Sequence, residues 1–268
     1  MMPGVYDGIS AVSAHKAGAE ALYLTGAGLT NAGLGVPDIA LATLTEFAMA
    51  AARVTSVAPV PVLSDADTGF GTEPSVRRTV IEMERAGLAG IHLEDQQMPK
   101  RCGHLDGKTL ISSEEMQAKI RAAVAAKADP SFVIVARTDA RSVEGLDGAI
   151  ARAQAYVQAG ADAVFPEGLA SEEEFAAFRA GVDVPLLANM TEFGKTPILP
   201  ASRFGELGYE MVIFPMTAFR VVLKALDETY GELLATGTQA GILDRMRTRA
   251  ELYERIDYAE YDRIAPTW

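Results

Sequence analysis

Two aspartates one residue apart, Asp65-Ala66-Asp67, close an apolar run and are followed at once by Thr68-Gly69-Phe70-Gly71. In an extended strand, residues two apart point to the same side, so both carboxylates can face a single point. Two hard oxygen ligands that leave room for water and substrate oxygens suit Mg²⁺ or Mn²⁺. A turn or helix-cap pair of aspartates has the same spacing, so the D-x-D pattern alone decides nothing. Glu94 ends another apolar run and can add a third acidic group, directly or through water. Three carboxylates crowded without a cation repel one another, and this argues for a metal.

Arg137 and Arg220 also follow apolar runs. A guanidinium there is costly unless it meets an anion, and its planar fork suits carboxylates. An internal ion pair of Arg137 with Glu167 or Asp139 is the structural alternative to an anionic, carboxylate-bearing substrate. The polar segment Lys100-Arg101-Cys102-Gly103-His104 holds the single cysteine. A lone cysteine is usually a buried small hydrophobe. Here two cations and a histidine flank it, an environment that lowers a thiol pKa and supports proton transfer. Neighbouring loop residues rarely align as nucleophile and base, so acid–base service by Cys102 is preferred to a Cys102–His104 nucleophilic pair. His15 reads as structural, and His92, with the parity of Glu94, as packing inside a barrel.

Eight short apolar runs can carry these residues: 2–6, 21–24, 60–64, 90–93, 132–136, 163–165, 184–188 and 211–214. Their length and β-branched content predict strands. Between them lie helical patterns at 75–86, 113–127, 146–159 and 171–180, and this alternation makes a parallel sheet. Ala17-Gly18-Ala19, Ala86-Gly87-Leu88, Ala159-Gly160-Ala161 and Leu207-Gly208-Tyr209 each end a helix before a strand, with glycine where a left-handed terminus is needed. No G-x-G-x-x-G follows an early strand, so a (β/α)8 TIM-type barrel is favoured over a dinucleotide-binding sheet. The whole of 1–268 then forms one barrel domain, with 218–268 as a C-terminal helical extension read as helices at 218–235 and 242–256.

In such a barrel, chemistry sits where strands end. Asp7, Thr25, Asp65 with Asp67, Glu94 with Asp95, Arg137 with Asp139, Glu167, Asn189, and Thr217 with Arg220 follow the eight runs in order. The 96–112 connection is far longer than the ~2–6 residues of ordinary βα loops and reads as a lid, and Ser112-Ser113-Glu114-Glu115 has the spacing of a capping box.

Composition limits the partners. The chain has 268 residues, 49% of them hydrophobic, and a formal charge of −12. One sizeable core fits this composition, and the charge opposes nucleic acid. A single cysteine excludes an internal disulfide, and neither a signal peptide nor a run of ~18 apolar residues is evident, so the expectation is a cytoplasmic protein without a membrane partner.

Several segments in order resemble the isocitrate lyase/phosphoenolpyruvate mutase superfamily, across essentially the whole chain. They are Asp65-Ala66-Asp67-Thr68-Gly69-Phe70-Gly71, His92-Leu93-Glu94-Asp95-Gln96, Lys100-Arg101-Cys102-Gly103-His104, Ala136-Arg137-Thr138-Asp139-Ala140 and Phe165-Pro166-Glu167. Ala188-Asn189-Met190-Thr191-Glu192-Phe193-Gly194, Ala218-Phe219-Arg220 and Thr248-Arg249-Ala250-Glu251-Leu252-Tyr253-Glu254 continue the match. Its 2-methylisocitrate lyases are nearest in character. The resemblance implies a Mg²⁺-dependent barrel, with Mn²⁺ as a substitute, that cleaves 2-methylisocitrate to pyruvate and succinate within propionate catabolism. It further implies a homotetramer whose last helix is exchanged between subunits. Asp65 and Asp67 would hold the metal, with Glu94 behind them. Thr25, Gly26 and Ala27 would offer backbone N–H groups to the pyruvate portion. Cys102, Gly103 and His104 would belong to the lid, and Asp38, Arg137, Glu167, Asn189, Thr191, Arg220 and Arg249 would surround the substrate.

Retro-aldol cleavage of a 2-hydroxy acid requires loss of the hydroxyl proton and leaves negative charge on two fragments. A divalent ion stabilises the pyruvate enolate as a Lewis acid. Arginines stabilise the diacid carbanion until Cys102 supplies a proton. Tyr23 and a metal-bound water both meet the requirements for taking the hydroxyl proton. Two departures bear on substrate. Methylisocitrate lyases have Ser-Gly-Gly where this chain has Thr25-Gly26-Ala27, and arginine after the lid histidine where it has Leu105. The Leu105-Asp106-Gly107-Lys108 segment is closer to 2,3-dimethylmalate lyases and oxaloacetate hydrolases, so these stand as alternatives, with a phosphonate mutase and a non-catalytic carboxylate-binding barrel behind them. Arg220 and Arg249 favour a tricarboxylate.

Overall fold

The structure, a computed structural model, describes residues 1–100 and 107–264. Eight parallel strands follow the order β6-β5-β4-β3-β2-β1-β8-β7. They are β1 (Met2–Val5), β2 (Leu22–Leu24), β3 (Val62–Asp65), β4 (Gly90–Glu94), β5 (Val133–Thr138), β6 (Ala163–Pro166), β7 (Leu187–Asn189) and β8 (Met211–Phe214). A parallel bridge between Val164 and Leu186 joins β6 to the lead-in of β7 and closes the barrel. After β2, a short α2 (Gly26–Gly28) at the mouth widens into a π-type turn (Leu29–Leu34), and the other helices include α1 (Gly8–Lys16), α3 (Leu44–Thr55), α4 (Glu73–Arg85) and α5 (Ser113–Val124). They continue with α6 (Arg141–Gln158), α7 (Glu172–Gly181), α8 (Ala201–Glu206) and α9 (Thr217–Thr236).

Strand parity divides the core. Outward residues such as Leu22, Leu24, Ile91, Leu93 and Ile134 pack under the helices with Phe47, Val80, Met83 and Tyr156. Inward residues Met2, Tyr23, Leu63, Val135, Ala163, Phe165, Leu187 and Ile213 fill the barrel. The inward parity carries on to the strand ends. In register, Asp65 lies beside His92, Glu94 beside Arg137, and Arg137 beside Phe165.

The four glycine joints form as the sequence predicts. Gly18, Gly87, Gly160 and Gly208 all have positive φ. After each, an N–H donates five residues back: Ala19 to Ala14, Leu88 to Met83, Ala161 to Tyr156 and Tyr209 to Phe204. These 6→1 bonds are Schellman ends, which turn the chain sharply from helix into strand.

Ser112 caps α5, its Oγ accepting from Glu115 N. The 96–112 connection has a paired stem: Gln96 bridges Leu110, and Gln97 N donates to Thr109 O. Cys102, Gly103 and His104 lie outside the described residues.

The C-terminal stretch differs from expectation. A single helix over 242–256 is replaced by a 3₁₀ turn (Ala240–Arg245), α10 (Arg249–Arg255) and α11 (Tyr258–Ile264). The break has a local cause. Thr248 and Glu251 form a reciprocal capping box, with Glu251 N donating to Thr248 Oγ1 and Thr248 N to Glu251 Oε2, so a new helix starts there. No residue of the 20-residue α9 is buried, and Val221, Tyr230 and Leu234 are among its exposed apolar side chains.

Candidate active site

The expected placement of Asp65 and Asp67 needs one correction. β3 ends at Asp65, and Asp67 has φ +46°, so alternation along a strand does not bring the two together. A tight turn does. Asp67 N donates to Asp65 Oδ1 at 2.9 Å, and Glu94 N donates to Asp67 O at 2.9 Å. Positive φ also recurs at Gly69, Phe70 and Gly71. The turn is braced from outside, because Lys119 Nζ donates to Thr68 O and Thr79 Oγ1 to Gly69 O. Gly26 lies against this turn. A Cβ there would stand 2.5 Å from Asp65 Oδ2, so only glycine lets α2 approach the carboxylate.

The crowded carboxylates do have a cation. Lys100 Nζ is 2.6 Å from Asp38 Oδ1 and 2.7 Å from Asp67 Oδ1. Burial alone would lower its pKa, but Asp67, Glu94, Asp65 and Asp38 outweigh that and raise it well above the usual range. Repulsion among these acids is therefore no evidence for a metal by itself. Burial, with the charges of Asp65 and Asp38, pushes Asp67 up to about 7 even against Lys100. Neither oxygen of fully buried Glu94 accepts a hydrogen bond, although Arg137 Nη1 is 3.3 Å away. Burial holds its carboxyl well above the ordinary range. Among the described residues, no three acidic, histidine or cysteine side chains converge as a complete ligand set.

Arg137 is buried and held as a fork, with Nε 3.0 Å from Asp139 Oδ2 and Nη2 3.2 Å from Asp139 Oδ1. The internal ion pair weighed from sequence thus forms on Asp139, and Glu167 Oε2 stands farther off at 3.9 Å. The guanidinium also lies over the Phe165 ring, 5.2 Å from its centroid. Asp139 takes a second cation, Lys108 Nζ, at 2.8 Å. Burial raises the Asp139 pKa, but Arg137 and Lys108 reverse the effect and bring it to about 2. Asp95 fixes the backbone behind this pair. It accepts from Asp139 N, Thr138 Oγ1 and Tyr156 Oη at 2.8–2.9 Å.

Inside the barrel, Tyr23 Oη is 2.7 Å from His92 Nε2, which is 3.6 Å from Asp65 Oδ1. Burial lowers the His92 pKa to about 4, so the ring is neutral at pH 7. Burial and the Asp65 charge push the Tyr23 phenol well up, so it keeps its proton here. His92 therefore contributes more than the packing expected of it.

Across the cavity, Thr191 Oγ1 donates to Asn189 Oδ1 and Asn189 Nδ2 to Glu167 Oε2, at 2.8 and 3.1 Å. Thr25 N donates to Val5 O and is not available to the cradle expected at Thr25-Gly26-Ala27, whereas Gly26 and Ala27 open α2, where N–H groups lack an intrahelical acceptor. Tyr23, Thr25, Ala27, Asp38, Asp65, Arg137, Glu167, Asn189, Thr191 and Arg220 line one cavity of about 330 Å³. Asp67 and Glu94 are buried and are not part of its lining. Arg249 is not brought in; it is exposed at the start of α10, away from the cavity lining. Lys108 and Asp95 are partners that sequence reading left without a role, and Lys100 and His92 take partners other than the thiol and the packing neighbours it gave them. Their only signal was position, immediately beside or flanking the motifs.

The family model for phosphoenolpyruvate phosphomutase matches residues 1–234. A 2-methylisocitrate lyase of Aeropyrum pernix is 55% identical over 261 residues, 97% of this chain and 84% of that protein. Among solved structures, an oxaloacetate acetylhydrolase in complex with 3,3-difluorooxalacetate superposes with a TM-score of 0.94 at 39% identity, covering 100% of this chain and 92% of that one. A 2,3-dimethylmalate lyase also gives 0.94, at 37% identity over 99% and 89% of the two chains. The chain belongs to the phosphoenolpyruvate mutase/isocitrate lyase superfamily.

Asp139 ties the site to stability. Its folded-state pKa of about 2 lies below the ~3.9 of an unfolded aspartate. Its contribution is therefore fully present above pH ~4 and is lost as pH falls through about 2. Asp139→Asn should cost about 2–3 kcal/mol at pH 7, read as a lower urea midpoint. The gap from the parent protein should narrow between pH 4 and pH 2; a gap independent of pH would refute the electrostatic account.

Proposed function

We propose that this chain is a divalent-cation-dependent carbon–carbon lyase that cleaves 2-methylisocitrate to pyruvate and succinate. The observation that carries the reading is a single cavity with buried carboxylates on one side and arginine, amide and hydroxyl groups on the other. The 55% identity to a named 2-methylisocitrate lyase, against 37–39% for the dimethylmalate lyase and oxaloacetate acetylhydrolase structures, supports this substrate over the alternatives.

The residues fit a cation such as Mg²⁺ or Mn²⁺. Asp65 and Asp67 supply hard oxygens, Gly26 leaves room against Asp65, and Glu94 has two buried oxygens without hydrogen bonds. A two-carboxylate site that completes its shell with water and substrate oxygens is the pattern such ions accept. When bound, the ion would supply Lewis-acid stabilisation of the pyruvate enolate.

The chain's own groups do the rest. Gly26 and Ala27 N–H groups bind the pyruvate end. Arg137, fixed by Asp139, stabilises charge on the breaking bond. Tyr23 can pass its proton to His92 Nε2 as it accepts the substrate hydroxyl proton, with Asp65 3.6 Å away to stabilise the imidazolium. Cys102, from the segment outside the described residues, returns a proton to the succinate carbanion, with Gly103 and His104 beside it. Glu167, Asn189, Thr191, Asp38 and Arg220 orient the diacid portion.

The remaining readings concern assembly. Residues 1–268 form one barrel domain with 218–268 as its extension, and the apolar, unburied face of α9 is covered by exchange with another subunit in a homotetramer. Arg249 is assigned to the substrate only through the family pattern. Among the described residues no helix is long and apolar enough to cross a membrane, in keeping with a cytoplasmic enzyme of small carboxylates.

A substrate panel with Mg²⁺, following both pyruvate and oxalate, should show 2-methylisocitrate preferred over isocitrate, 2,3-dimethylmalate and oxaloacetate. Cys102→Ser should fold and bind Mn²⁺ normally yet lose most turnover, and near-normal turnover would reject its role as proton donor. Because Asp67 titrates at about 7 and must be ionised to ligate, Mn²⁺ affinity should climb between pH 6 and 8. Calorimetry should show protons released on binding, and Asp67→Ala should abolish it; an undiminished response in that variant overturns the assignment. Light scattering should give four times the chain mass, and a monomer would remove the exchange.

A further inference from the structure

One arginine of the cavity is gripped from outside by residues that the site does not otherwise use. Arg220 lies in the first turn of α9 and lines the cavity. Its Nη1 donates to the backbone carbonyl of Glu192 at 2.7 Å and to Glu192 Oε2 at 2.7 Å. The other carboxylate oxygen of Glu192 accepts from Thr217 Oγ1, so the anion is itself anchored to the start of the same helix. The Phe193 ring centroid lies 5.5 Å from the guanidinium carbon. Neither Glu192 nor Phe193 lines the cavity.

Phe193 carries two costs that packing does not explain. Its side chain is 94% exposed, and its backbone sits at φ +62°, a conformation unfavourable for a bulky residue. Stacking against a guanidinium gives that exposed ring a partner. The Glu192 carboxylate and carbonyl meet the two N–H donors of Nη1, which leaves the three on Nε and Nη2 to meet an anion in the cavity.

We propose that Glu192 and Phe193 are positioning residues that fix the Arg220 guanidinium before substrate arrives. They thereby select substrates with a carboxylate at the end remote from Asp65 and Asp67. The proposal rests on the lyase reading of the cavity. An arginine already held in its binding rotamer loses less freedom on capturing a carboxylate, so affinity rises without any new contact to the ligand. A competing-anion role for Glu192 makes the opposite forecast, since removing it would then strengthen binding.

The test is a double-mutant cycle. Glu192→Gln, Phe193→Leu, Arg220→Lys and Glu192→Gln/Arg220→Lys are compared by steady-state kinetics on 2-methylisocitrate and by calorimetric binding of succinate. Parent-enzyme turnover of 2-methylisocitrate reports on the lyase reading alone, while the succinate cycle tests the positioning role even where turnover is absent. Glu192→Gln and Phe193→Leu should each raise KM and the succinate Kd about three- to tenfold, with a smaller change in kcat. In the Arg220→Lys background the Glu192 change should add less than about twofold, because its only route is through Arg220. Tighter succinate binding in Glu192→Gln, or an equal loss with and without Arg220, overturns the proposal.

Discussion

Burying a guanidinium imposes conditions on everything around it. An ion removed from water costs several kcal/mol unless charge and hydrogen bonds meet it on several sides. At the end of β5, Arg137 is met by the Asp139 fork, by Glu94 at 3.3 Å and by the Phe165 ring beneath it. Asp139 then needs more than one cation and takes Lys108, while its backbone is fixed by Asp95. The chain of requirements runs through β4, β5, β6 and the stem of the long loop. The stem is drawn in because Lys108 lies on its returning side. Local geometry at the mouth is therefore set by charge pairing rather than by the apolar core, which lies deeper in the barrel.

The same logic gives the cavity two unlike ends. Around Asp65 and Asp67 the groups are acidic, with Lys100 paired to Asp38 and Asp67. Around Arg220, Asn189 and Thr191 they are donors and amides on the later loops. A hydroxy acid with carboxylates at both ends would suit both regions only with a divalent cation between its near carboxylate and Asp65 and Asp67.

Much of this could be read from residue order. Position at the ends of short apolar runs put Asp65, Glu94, Arg137 and Asn189 at the barrel mouth, and the Ala-Gly joints marked where helices turn into strands, because the αL conformation at a Schellman end favours glycine. What escaped was tertiary. The Lys108–Asp139 pair spans 31 residues, and no local pattern says which acid a lysine will choose. The Asp65–Asp67 pairing was foreseen for the wrong reason, since a left-handed turn replaces the extended strand. The break before α10 was missed because helical periodicity over 242–256 hid a capping box at Thr248 and Glu251. Arg249 starts α10 outside the cavity lining of the single chain, so its expected role rests on the motif and not on this geometry.

Lys100 changes how an acidic cluster should be interpreted. Crowded carboxylates demand positive charge, but an ammonium meets that demand as well as a metal ion does, and here it lies within hydrogen-bonding distance of Asp38 and Asp67. Charge balance alone therefore does not distinguish a metal site from a lysine-neutralised one. The hydrogen-bond inventory adds to it. Lys100 reaches Asp38 and Asp67 yet both oxygens of buried Glu94 stay without a hydrogen bond, and burial pushes the Asp67 pKa up to about 7. Those unmet acceptors, more than the number of negative charges, are the feature a divalent ion with its shell of water would resolve.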